Sequence, residues 1–269
     1  MDLSQIKMVV TDMDGTLLNS KHEVSDRFLA LFHKLKDRGI RFTAASGRQY
    51  NSIVDKLHAI RDEIIVVAEN GALVREGSRE LFTTPLSNDL KNTLLSKIGD
   101  IEGSHAMLCG KYKAYFDGKS AVFLDELKEY YSSFDVYDSL NQVTDEIVKI
   151  AVYHNEDAEA FIYPEVRDLE HLVKVKVSGK HWVDINQVDA HKGQALEKLM
   201  QRYGLYPNEV LVFGDYNNDL EMLALADHSF AMKNAHPNVK KVAKYETASH
   251  DDFGVERILE QLLETLERD

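Results

Sequence analysis

Short apolar runs alternate with amphipathic stretches in the first third of the chain. Residues 6–11, 40–45 and 64–68 are short, largely apolar runs, and polar residues follow each of them directly. Such runs are typical of strands that are buried on both faces. Between the first two runs, Ser25 can cap a helix with one apolar face, formed by Phe28, Leu29, Leu31, Phe32 and Leu35. A second helix is predicted at 49–57, so the order of elements is that of a parallel sheet with helices on both faces.

A different pattern of predicted elements follows a predicted hairpin after Gly71. Between about residues 86 and 186, paired extended segments such as 105–109 and 112–116 lie between predicted helices of roughly a dozen residues. Residues 172–185 are interpreted as the last strands of this region. The pattern predicts a separate α+β insertion.

The parallel-sheet pattern resumes after the insertion, with a helix predicted at 192–203 and a strand at 210–213. We therefore predict an α/β fold with a doubly wound, Rossmann-like parallel-sheet core. Residues 1–85 and 187–269 would form this core, and residues 86–186 would form the inserted α+β unit. Ligands of such sheets bind beyond the carboxyl ends of the strands.

Composition narrows the class of protein. The chain has 269 residues, of which 44% are hydrophobic and 29% charged, and its formal net charge is -13. These values are typical of a globular chain with a sizeable core. An acidic chain without a block of lysines and arginines is not expected to bind nucleic acid, because a phosphate backbone selects a basic surface. A small anionic substrate would need a local positive site, built from a metal ion and one or two lysines.

The sequence does not indicate a membrane protein or a disulfide-linked one. The longest purely apolar stretch, residues 64–68, is far too short to cross a bilayer, and the N-terminus has no basic segment leading into a long apolar one. The single cysteine, Cys109, cannot form an internal disulfide and is expected to be a small buried residue. We expect a cytoplasmic protein in a reducing compartment.

Two aspartates follow the first predicted strand. Asp12 and Asp14 are two residues apart where the strand ends, so both side chains are expected near one site if the chain turns there. Two carboxylates this close repel each other unless a cation lies between them or one is protonated. A hard divalent ion such as Mg²⁺ prefers oxygen ligands of this kind. Acidic pairs are common on protein surfaces, and the position of this pair after an apolar strand favours function.

A second acidic cluster follows the strand at 210–213. Asp215 is a candidate to complete a metal site, and Asn218 and Asp219 open a predicted helix. Simple helix capping is the competing explanation for the last two residues.

Two weaker signals occur at other predicted helix starts. Ser46 and Gly47 could supply a hydroxyl and a backbone N–H to a phosphate at a helix N-terminus, although strand-to-helix turns often contain these residue types. Lys192, taken alone, is more typical of a solvated surface lysine.

The four clusters together closely resemble the four-motif pattern of the haloacid dehalogenase-like superfamily, and within it the Cof-type sugar-phosphate phosphatases. In chain order the motifs are Asp12-Met13-Asp14-Gly15-Thr16, Ser46-Gly47-Arg48, Lys192-Gly193 and Gly214-Asp215-Tyr216-Asn217-Asn218-Asp219. The resemblance covers essentially the whole chain and extends to residues 68–72 and 230–235. One departure is Lys233, where the family commonly has glycine, which raises a question about the local turn.

This resemblance implies a mechanism. Asp12 would be the nucleophile that becomes phosphorylated, and Asp14 the general acid that later acts as the base. Mg²⁺ would be held by the side chain of Asp12, the backbone carbonyl of Asp14 and the side chain of Asp215. The phosphoryl oxygens of a small phosphorylated metabolite would be bound by Ser46, Gly47, Lys192 and Asn218. Asp219 would orient Lys192 or a water ligand of the metal.

The resemblance also implies that the insertion at 86–186 is a large α/β cap that closes over the site and contacts the rest of the substrate. Within it, Trp182 and His181 are expected to pack inside the cap rather than face the substrate. His191, next to Lys192, is interpreted as a turn residue.

Four alternative functions have different outcomes. A hydrolytic dehalogenase needs neither Asp14 nor a full metal set, and a phospho-accepting signalling domain lacks an aspartate two positions after the nucleophile and so large an insertion. A P-loop nucleotide hydrolase is excluded because its Gly-x-x-x-x-Gly-Lys-Ser/Thr motif does not occur. A phosphomutase shares every motif and stays open until products are assayed, as does the choice between a monomer and a small homo-oligomer.

Overall fold

Two β-sheets organise the chain. The structure is a computed structural model that describes residues 2–118, 120, 123–124, 127 and 133–267. Within these residues, the larger sheet has eight strands and the smaller sheet has six.

The strands of the larger sheet come from both ends of the chain. They are β1 (Met8–Asp12), β2 (Arg41–Ala45), β3 (Ile65–Ala68), β4 (Leu73–Glu76), β5 (Arg79–Thr83), β12 (Val210–Gly214), β13 (His228–Ala231) and β14 (Tyr245–Glu246). The spatial order is β14-β13-β12-β1-β2-β3-β4-β5, in which β4 and β5 form an antiparallel hairpin and the other six strands are parallel. The predicted doubly wound parallel sheet and the predicted hairpin after Gly71 are confirmed.

The strand order reverses at the centre of this sheet. From β1 the chain continues to β2 and β3 on one side, whereas β12, β13 and β14 extend the sheet on the other side. A sheet of this kind opens a crevice where the order reverses, at the carboxyl ends of the strands. That point lies between the end of β1 and the end of β12.

Nine helices accompany the sheets in the described part of the chain. They are α1 (Asp26–Asp37), α2 (Tyr50–Lys56), α3 (Asn88–Gly99), α4 (Ala158–Phe161), α5 (Tyr163–Val166), α6 (Lys192–Tyr203), α7 (Leu220–Leu225), α8 (Pro237–Val242) and α9 (Gly254–Leu266). Helix α1 packs against α9, and α6 packs against α7. None of these helices is both long and apolar enough to cross a membrane.

Helix α1 forms as its sequence predicts. The side chain of Ser25 accepts a hydrogen bond from the backbone N–H of Phe28 at 2.9 Å, so it satisfies one of the unpaired donors at the helix start. The same hydroxyl donates to Glu256 on α9 at 2.6 Å. The buried face of the helix lies against the sheet and consists of Phe28, Leu31, Phe32 and Leu35.

The smaller sheet is formed by the insertion and is called the cap sheet below. Its strands are β6 (Ser104–Gly110), β7 (Ala114–Phe116), β8 (Phe134–Val136), β9 (Ile147–His154), β10 (Val173–Gly179) and β11 (Trp182–Gln187). The order is β10-β11-β9-β6-β7-β8, and every pairing except that of β7 with β8 is antiparallel. An apolar contact of Val148 with Ala72 and Ala190 forms a small buried cluster between this sheet and the larger one.

The expected helix length in the insertion is wrong for one segment. Helix α3 has 12 residues, but α4 and α5 have four residues each. Pro164 at the start of α5 lacks a backbone N–H and restricts the residue before it, so α4 cannot run on through this point. Cys109 is buried and reduced, in agreement with the sequence.

Replacing Phe28 by alanine is expected to destabilise the larger sheet. The ring is fully buried and lies 5.0 Å from the ring of Phe42 on β2, so its removal leaves a cavity. We expect the free energy of unfolding to fall by about 3 to 5 kcal/mol, as measured by guanidinium denaturation. The control is Lys34→Ala at an exposed position of the same helix, for which a change of about 0.5 kcal/mol or less is expected. Equal effects of the two substitutions would contradict this packing.

Candidate active site

The ends of adjacent parallel strands bring the first acidic residues together. Thr11 of β1 is aligned with Phe213 of β12, so the chain leaves the sheet at neighbouring points in front of Asp12 and Asp215. Gly15 makes the turn after β1 with φ of +76°. A Cβ atom at this position would lie 2.3 Å from an Asp215 carboxylate oxygen, so only glycine permits this approach.

Lys192 reaches the same point from the start of α6. Its ammonium donates to Oδ1 of Asp12 at 2.5 Å and to Oδ1 of Asp219 at 2.7 Å, and its side chain is completely buried. His191 holds the helix start, because its Nδ1 accepts from the backbone N–H of Gln194 at 3.2 Å. Lys192 is therefore not the solvated surface lysine that its residue type alone suggests, and His191 is a helix cap.

Asp219 is bonded through both carboxylate oxygens. Besides the contact of Oδ1 with Lys192, its Oδ2 accepts the backbone N–H groups of Asp215 and Tyr216 at 2.9 and 3.1 Å. These bonds hold both Lys192 and the loop that carries Asp215. The contact with Lys192 corresponds to one of the two tasks predicted for Asp219.

Three carboxylates converge beside this ammonium. Asp12, Asp215 and Asp219 each offer an oxygen atom, and these oxygens all lie within 4.8 Å of one another. Thr16 donates from its hydroxyl to Oδ1 of Asp215 at 3.3 Å. One lysine balances only one of the three carboxylates, so negative charge remains in a buried place.

The unbalanced negative charge shifts the pKa values of the groups in this cluster. Burial, together with the neighbouring carboxylates, raises the pKa of Asp12 well above its ordinary value even though Lys192 opposes the change. Burial and the charge of Asp219 raise the pKa of Asp215 to about 7. Burial alone would lower the pKa of Lys192, but Asp12 and Asp219 outweigh it and the pKa is raised.

This donor set fits a divalent cation with a preference for oxygen. Carboxylate oxygens are the ligands that Mg²⁺ prefers, and a doubly charged ion would offset the negative charge that Lys192 leaves unbalanced. The described histidines and Cys109 do not enter the group, so a zinc-type ligand set is not formed by the described residues.

Arg48 holds Asp14 apart from this cluster. Its Nε and Nη2 atoms donate to the two Asp14 oxygens, each at 2.6 Å, which is a bidentate ion pair. His22 approaches the same carboxylate at 3.3 Å. Burial by itself would raise the pKa of Asp14, but the hydrogen bonds and charge of Arg48 outweigh it and the pKa is lowered. The ion pair therefore favours the ionised form of Asp14.

Three of the four residues predicted to bind a phosphoryl group line one cavity. Ser46, Gly47 and Asn218 line a space of about 590 Å³ together with Asp12, Asp14 and Asp215. Strand β2 positions the first two, because Ala45 is aligned with Asp12 and the chain then leaves the sheet. Lys192 and Asp219 are buried beside Asp12 but do not line the cavity.

Cap-sheet residues complete the cavity wall. Lys149 of β9, Lys176 of β10, and Trp182 and Asp184 of β11 all line it. Trp182 also packs against Tyr153 inside the cap, with ring centroids 5.1 Å apart, so the expectation that it only packs there is incomplete. His181 stacks on Tyr153 and is not among the lining residues, as expected.

Sequence reasoning missed several of these contacts. Arg48 belongs to a motif that the sequence shows, but nothing in the motif indicates that it binds Asp14. Lys149 and Asp184 carried a usable signal, since each is a charged residue between two apolar neighbours in its strand. The turn at Lys233 needs no glycine, because this exposed residue is not among those with positive φ. The next residue, Asn234, donates to the carbonyl of Gly15 at 2.8 Å.

A model of the haloacid dehalogenase-like hydrolases matches residues 9–259. The chain belongs to this family. The match confirms the family that the four motifs indicate, and it spans both the larger sheet and the cap sheet of this haloacid dehalogenase-like hydrolase.

Relatives of the chain agree with this assignment. A 5-amino-6-(5-phospho-D-ribitylamino)uracil phosphatase of Escherichia coli is 32% identical over 265 residues, which are 96% of this chain and 96% of the relative. A crystal structure of a Streptococcus mutans protein has a TM-score of 0.88 at 29% identity and covers 96% of this chain and 99% of that one. A sugar phosphatase of subclass IIB has the same fold, with a TM-score of 0.80 at 17% identity over 95% and 98% of the two chains.

Adding Mg²⁺ is expected to stabilise the protein by binding to the carboxylates of Asp12 and Asp215. At saturating Mg²⁺ we expect the melting temperature to rise by roughly 5 °C or more, relative to NaCl of equal ionic strength. The ionised carboxylate binds the ion, so the rise should be larger at about pH 8 than at about pH 6. This direction follows because the pKa of Asp215 is raised to about 7.

The matched variants are Asp215→Asn, which removes a charge from the group, and Asp62→Asn, which removes one from a carboxylate whose side chain is 81% exposed. Asp215→Asn should lose the Mg²⁺-dependent rise and Asp62→Asn should keep it. An equal rise in both variants would contradict a metal site at Asp215.

Proposed function

We propose that this haloacid dehalogenase-like phosphatase is Mg²⁺-dependent and hydrolyses sugar phosphates or sugar-alcohol phosphates through an aspartyl-phosphate on Asp12. The observation that supports this most directly is the position of Asp12. It lies at the wall of the cavity, 2.5 Å from a buried ammonium, beside two further carboxylates and the residues expected to bind a phosphoryl group.

The first half of the reaction transfers the phosphoryl group to the enzyme. A carboxylate oxygen of Asp12 attacks phosphorus, and the bond from phosphorus to the ester oxygen of the substrate breaks. The leaving oxygen takes a proton from Asp14, which must therefore be protonated at this stage. Arg48 opposes that protonation in the present geometry, because both of its bonds favour the ionised carboxylate.

The second half releases inorganic phosphate. Asp14, now ionised, accepts a proton from a water molecule whose oxygen attacks phosphorus, and the bond to Asp12 breaks. Asp12 returns as a carboxylate and Asp14 returns protonated, so the enzyme is regenerated. The ionised state that Arg48 favours is the one that this half-reaction uses.

Binding groups in place before the reaction stabilise the charge on the transferring phosphoryl oxygens. Ser46, the Gly47 amide and Asn218 would contact these oxygens in the cavity, and the ammonium of Lys192 would do so from beside Asp12. The side chains of Asp12 and Asp215 and the backbone carbonyl of Asp14 would hold Mg²⁺, which supplies positive charge to the same group.

The cap-sheet side of the cavity supports a polar leaving group. Lys176 and Ser178 offer hydrogen-bonding groups suited to the hydroxyls of a sugar or sugar alcohol, and Trp182 offers a flat apolar surface. The Escherichia coli relative, and two Bacillus subtilis relatives at 25% and 26% identity, are named as phosphatases of a phosphorylated ribitylaminouracil. Such a compound joins a sugar alcohol to a flat ring, so it belongs in the substrate panel.

The test of the function is phosphate release from a panel of esters. Sugar phosphates, sugar-alcohol phosphates including the ribitylaminouracil compound, nucleotides and an aryl phosphate would be compared with Mg²⁺ and with chelator. We expect metal-dependent release that is fastest for the polyol esters. Recovery of an isomeric phosphate ester in place of inorganic phosphate would identify a mutase and contradict the proposal.

Replacing the two aspartates should separate the two half-reactions. With an aryl phosphate the leaving group needs no proton, so Asp14→Asn should still release about one phenolate per active site in a burst and then turn over slowly. Asp12→Asn should show no burst and should lower kcat by roughly a thousandfold or more.

Rapid-mixing absorbance of the phenolate measures both quantities. Wild type serves as the control for complete turnover, and Asp62→Asn serves as the control for loss of a carboxylate elsewhere. A burst in Asp12→Asn as large as that of Asp14→Asn would rule out Asp12 as the nucleophile.

A further inference from the structure

Four buried polar residues connect the cap sheet to the loops around the phosphate site. Glu69 and Asn70 follow β3 in the larger sheet, whereas Lys149 and Asp184 lie on β9 and β11 of the cap sheet. All four side chains are at least nine-tenths buried. These residues are called the polar bridge below. Charged groups in such a place are costly unless they are paired, so their arrangement calls for an explanation.

The first branch of the bridge ends on the loop that carries Ser46 and Gly47. The ammonium of Lys149 lies 2.6 Å from Oε2 of Glu69 and donates to the backbone carbonyl of Gly47 at 3.0 Å. A residue of the cap sheet thus holds the peptide next to the amide expected to bind the phosphoryl group. Glu69 is held in turn by its backbone N–H, which donates to the carbonyl of Arg48 at 3.0 Å.

The second branch ends on Asn218. The Asn70 amide donates from Nδ2 to Oδ2 of Asp184 at 3.1 Å, and its Oδ1 accepts from Nδ2 of Asn218 at 3.2 Å. Because one end of the Asn70 amide must donate and the other must accept, Asp184 fixes which atom faces Asn218. The Asn218 side chain is thereby oriented by a carboxylate on the cap sheet.

The backbone of the bridge is also held in an uncommon conformation. Glu69 and Asn70 have φ of 51° and 58°, in the left-handed region that residues with side chains seldom adopt. Strained backbone of this kind persists where surrounding contacts determine it, and it is concentrated at functional sites. Here the surrounding contacts include Asn186 of β11, whose Nδ2 donates to the carbonyl of Glu69 at 3.2 Å.

We propose that Lys149 and Asp184 are positioning residues for the phosphoryl group, which act through Gly47 and through Asn70 and Asn218. The inference rests on the proposed function, because it uses the predicted phosphate contacts of Ser46, Gly47 and Asn218. It extends that function by giving the cap sheet a second task. Besides contacting the leaving group, the cap sheet completes the geometry of the phosphate site in the larger sheet.

This role has a signature that leaving-group recognition does not share. The phosphoryl group is common to every substrate, so loss of a positioning residue should lower kcat/KM by the same factor for all esters. It should also weaken inhibition by inorganic phosphate, which has no leaving group. A residue that contacts the leaving group would change the ranking of substrates instead.

The first experiment compares Lys149→Met with Lys174→Met. Lys174 is a matched control because it also links the cap sheet to an element outside it. Its ammonium donates to Glu221 on α7 at 2.7 Å, and it contacts no predicted phosphate-binding group. For Lys149→Met we expect kcat/KM to fall by about tenfold or more for an aryl phosphate and a sugar phosphate alike, with weaker inhibition by inorganic phosphate. Lys174→Met should stay within about twofold of wild type.

Two results would overturn the inference. One is an equal loss in the two lysine variants, which would mean that any contact between the cap sheet and the larger sheet matters in the same way. The other is a loss for Lys149→Met that differs between the esters while phosphate inhibition is unchanged. Thermal unfolding of both variants would establish that each is folded under the assay conditions.

The second experiment keeps the inference testable if Lys149→Met does not fold. Asp184→Asn retains an oxygen that can accept from Asn70, whereas Asp184→Ala removes it. We expect Asp184→Ala to show the uniform loss and weaker phosphate inhibition, and Asp184→Asn to recover most of both. A loss of the same size in Asp184→Asn and Asp184→Ala would contradict the positioning role.

Failure of this inference is distinguishable from failure of the proposed function. Wild type that releases no phosphate from any ester would refute the function, and the variants would then have no activity to compare. Wild type that hydrolyses the panel, with Lys149→Met and Asp184→Ala unchanged in kcat/KM and in phosphate inhibition, would refute the positioning role alone.

Discussion

The buried contact of Lys192 with Asp12 and Asp219 is the interaction on which the site depends. The buried ammonium keeps its charge because the carboxylates of Asp12 and Asp219 surround it. In turn, the ammonium reduces the repulsion between these two closely spaced carboxylates. The contact joins the end of β1 to the start of α6, on opposite sides of the insertion in the chain. It therefore ties the two halves of the larger sheet together at the point where the strand order reverses.

The negative charge that Lys192 leaves unbalanced affects both the stability of the site and its proposed function. The raised pKa values of Asp12 and Asp215 reflect carboxylates that burial and mutual repulsion hold in an unfavourable state. The same crowding makes the group suited to a divalent cation, and it places Asp12, the proposed nucleophile, beside the fixed positive charge of Lys192. Arg48 adds a separate control over Asp14, so two carboxylates only two residues apart have pKa values shifted in opposite directions.

Much of the site could be predicted because its residues follow strands of the larger sheet. An apolar run such as 6–11 predicts a buried strand, and parallel strands deliver the polar residues after them to one edge. Contacts across the insertion could not be predicted in this way. Lys149 and Asp184 reach the loops that carry Gly47 and Asn70 only because the cap sheet folds over the larger sheet, and no local pattern encodes that approach. The break between α4 and α5 could be predicted from Pro164. The bidentate contact of Arg48 with Asp14 could be seen only in the structure.

The most direct test of the account is the covalent state of Asp12 during turnover. The enzyme would be mixed with excess aryl phosphate and Mg²⁺, quenched in acid within the first turnover, and digested for peptide mass spectrometry. The account predicts a peptide containing Asp12 that is heavier by the mass of one phosphoryl group and that is missing from the Asp12→Asn digest. A phosphoryl group found on another residue, or none in an enzyme that turns over the ester, would contradict it.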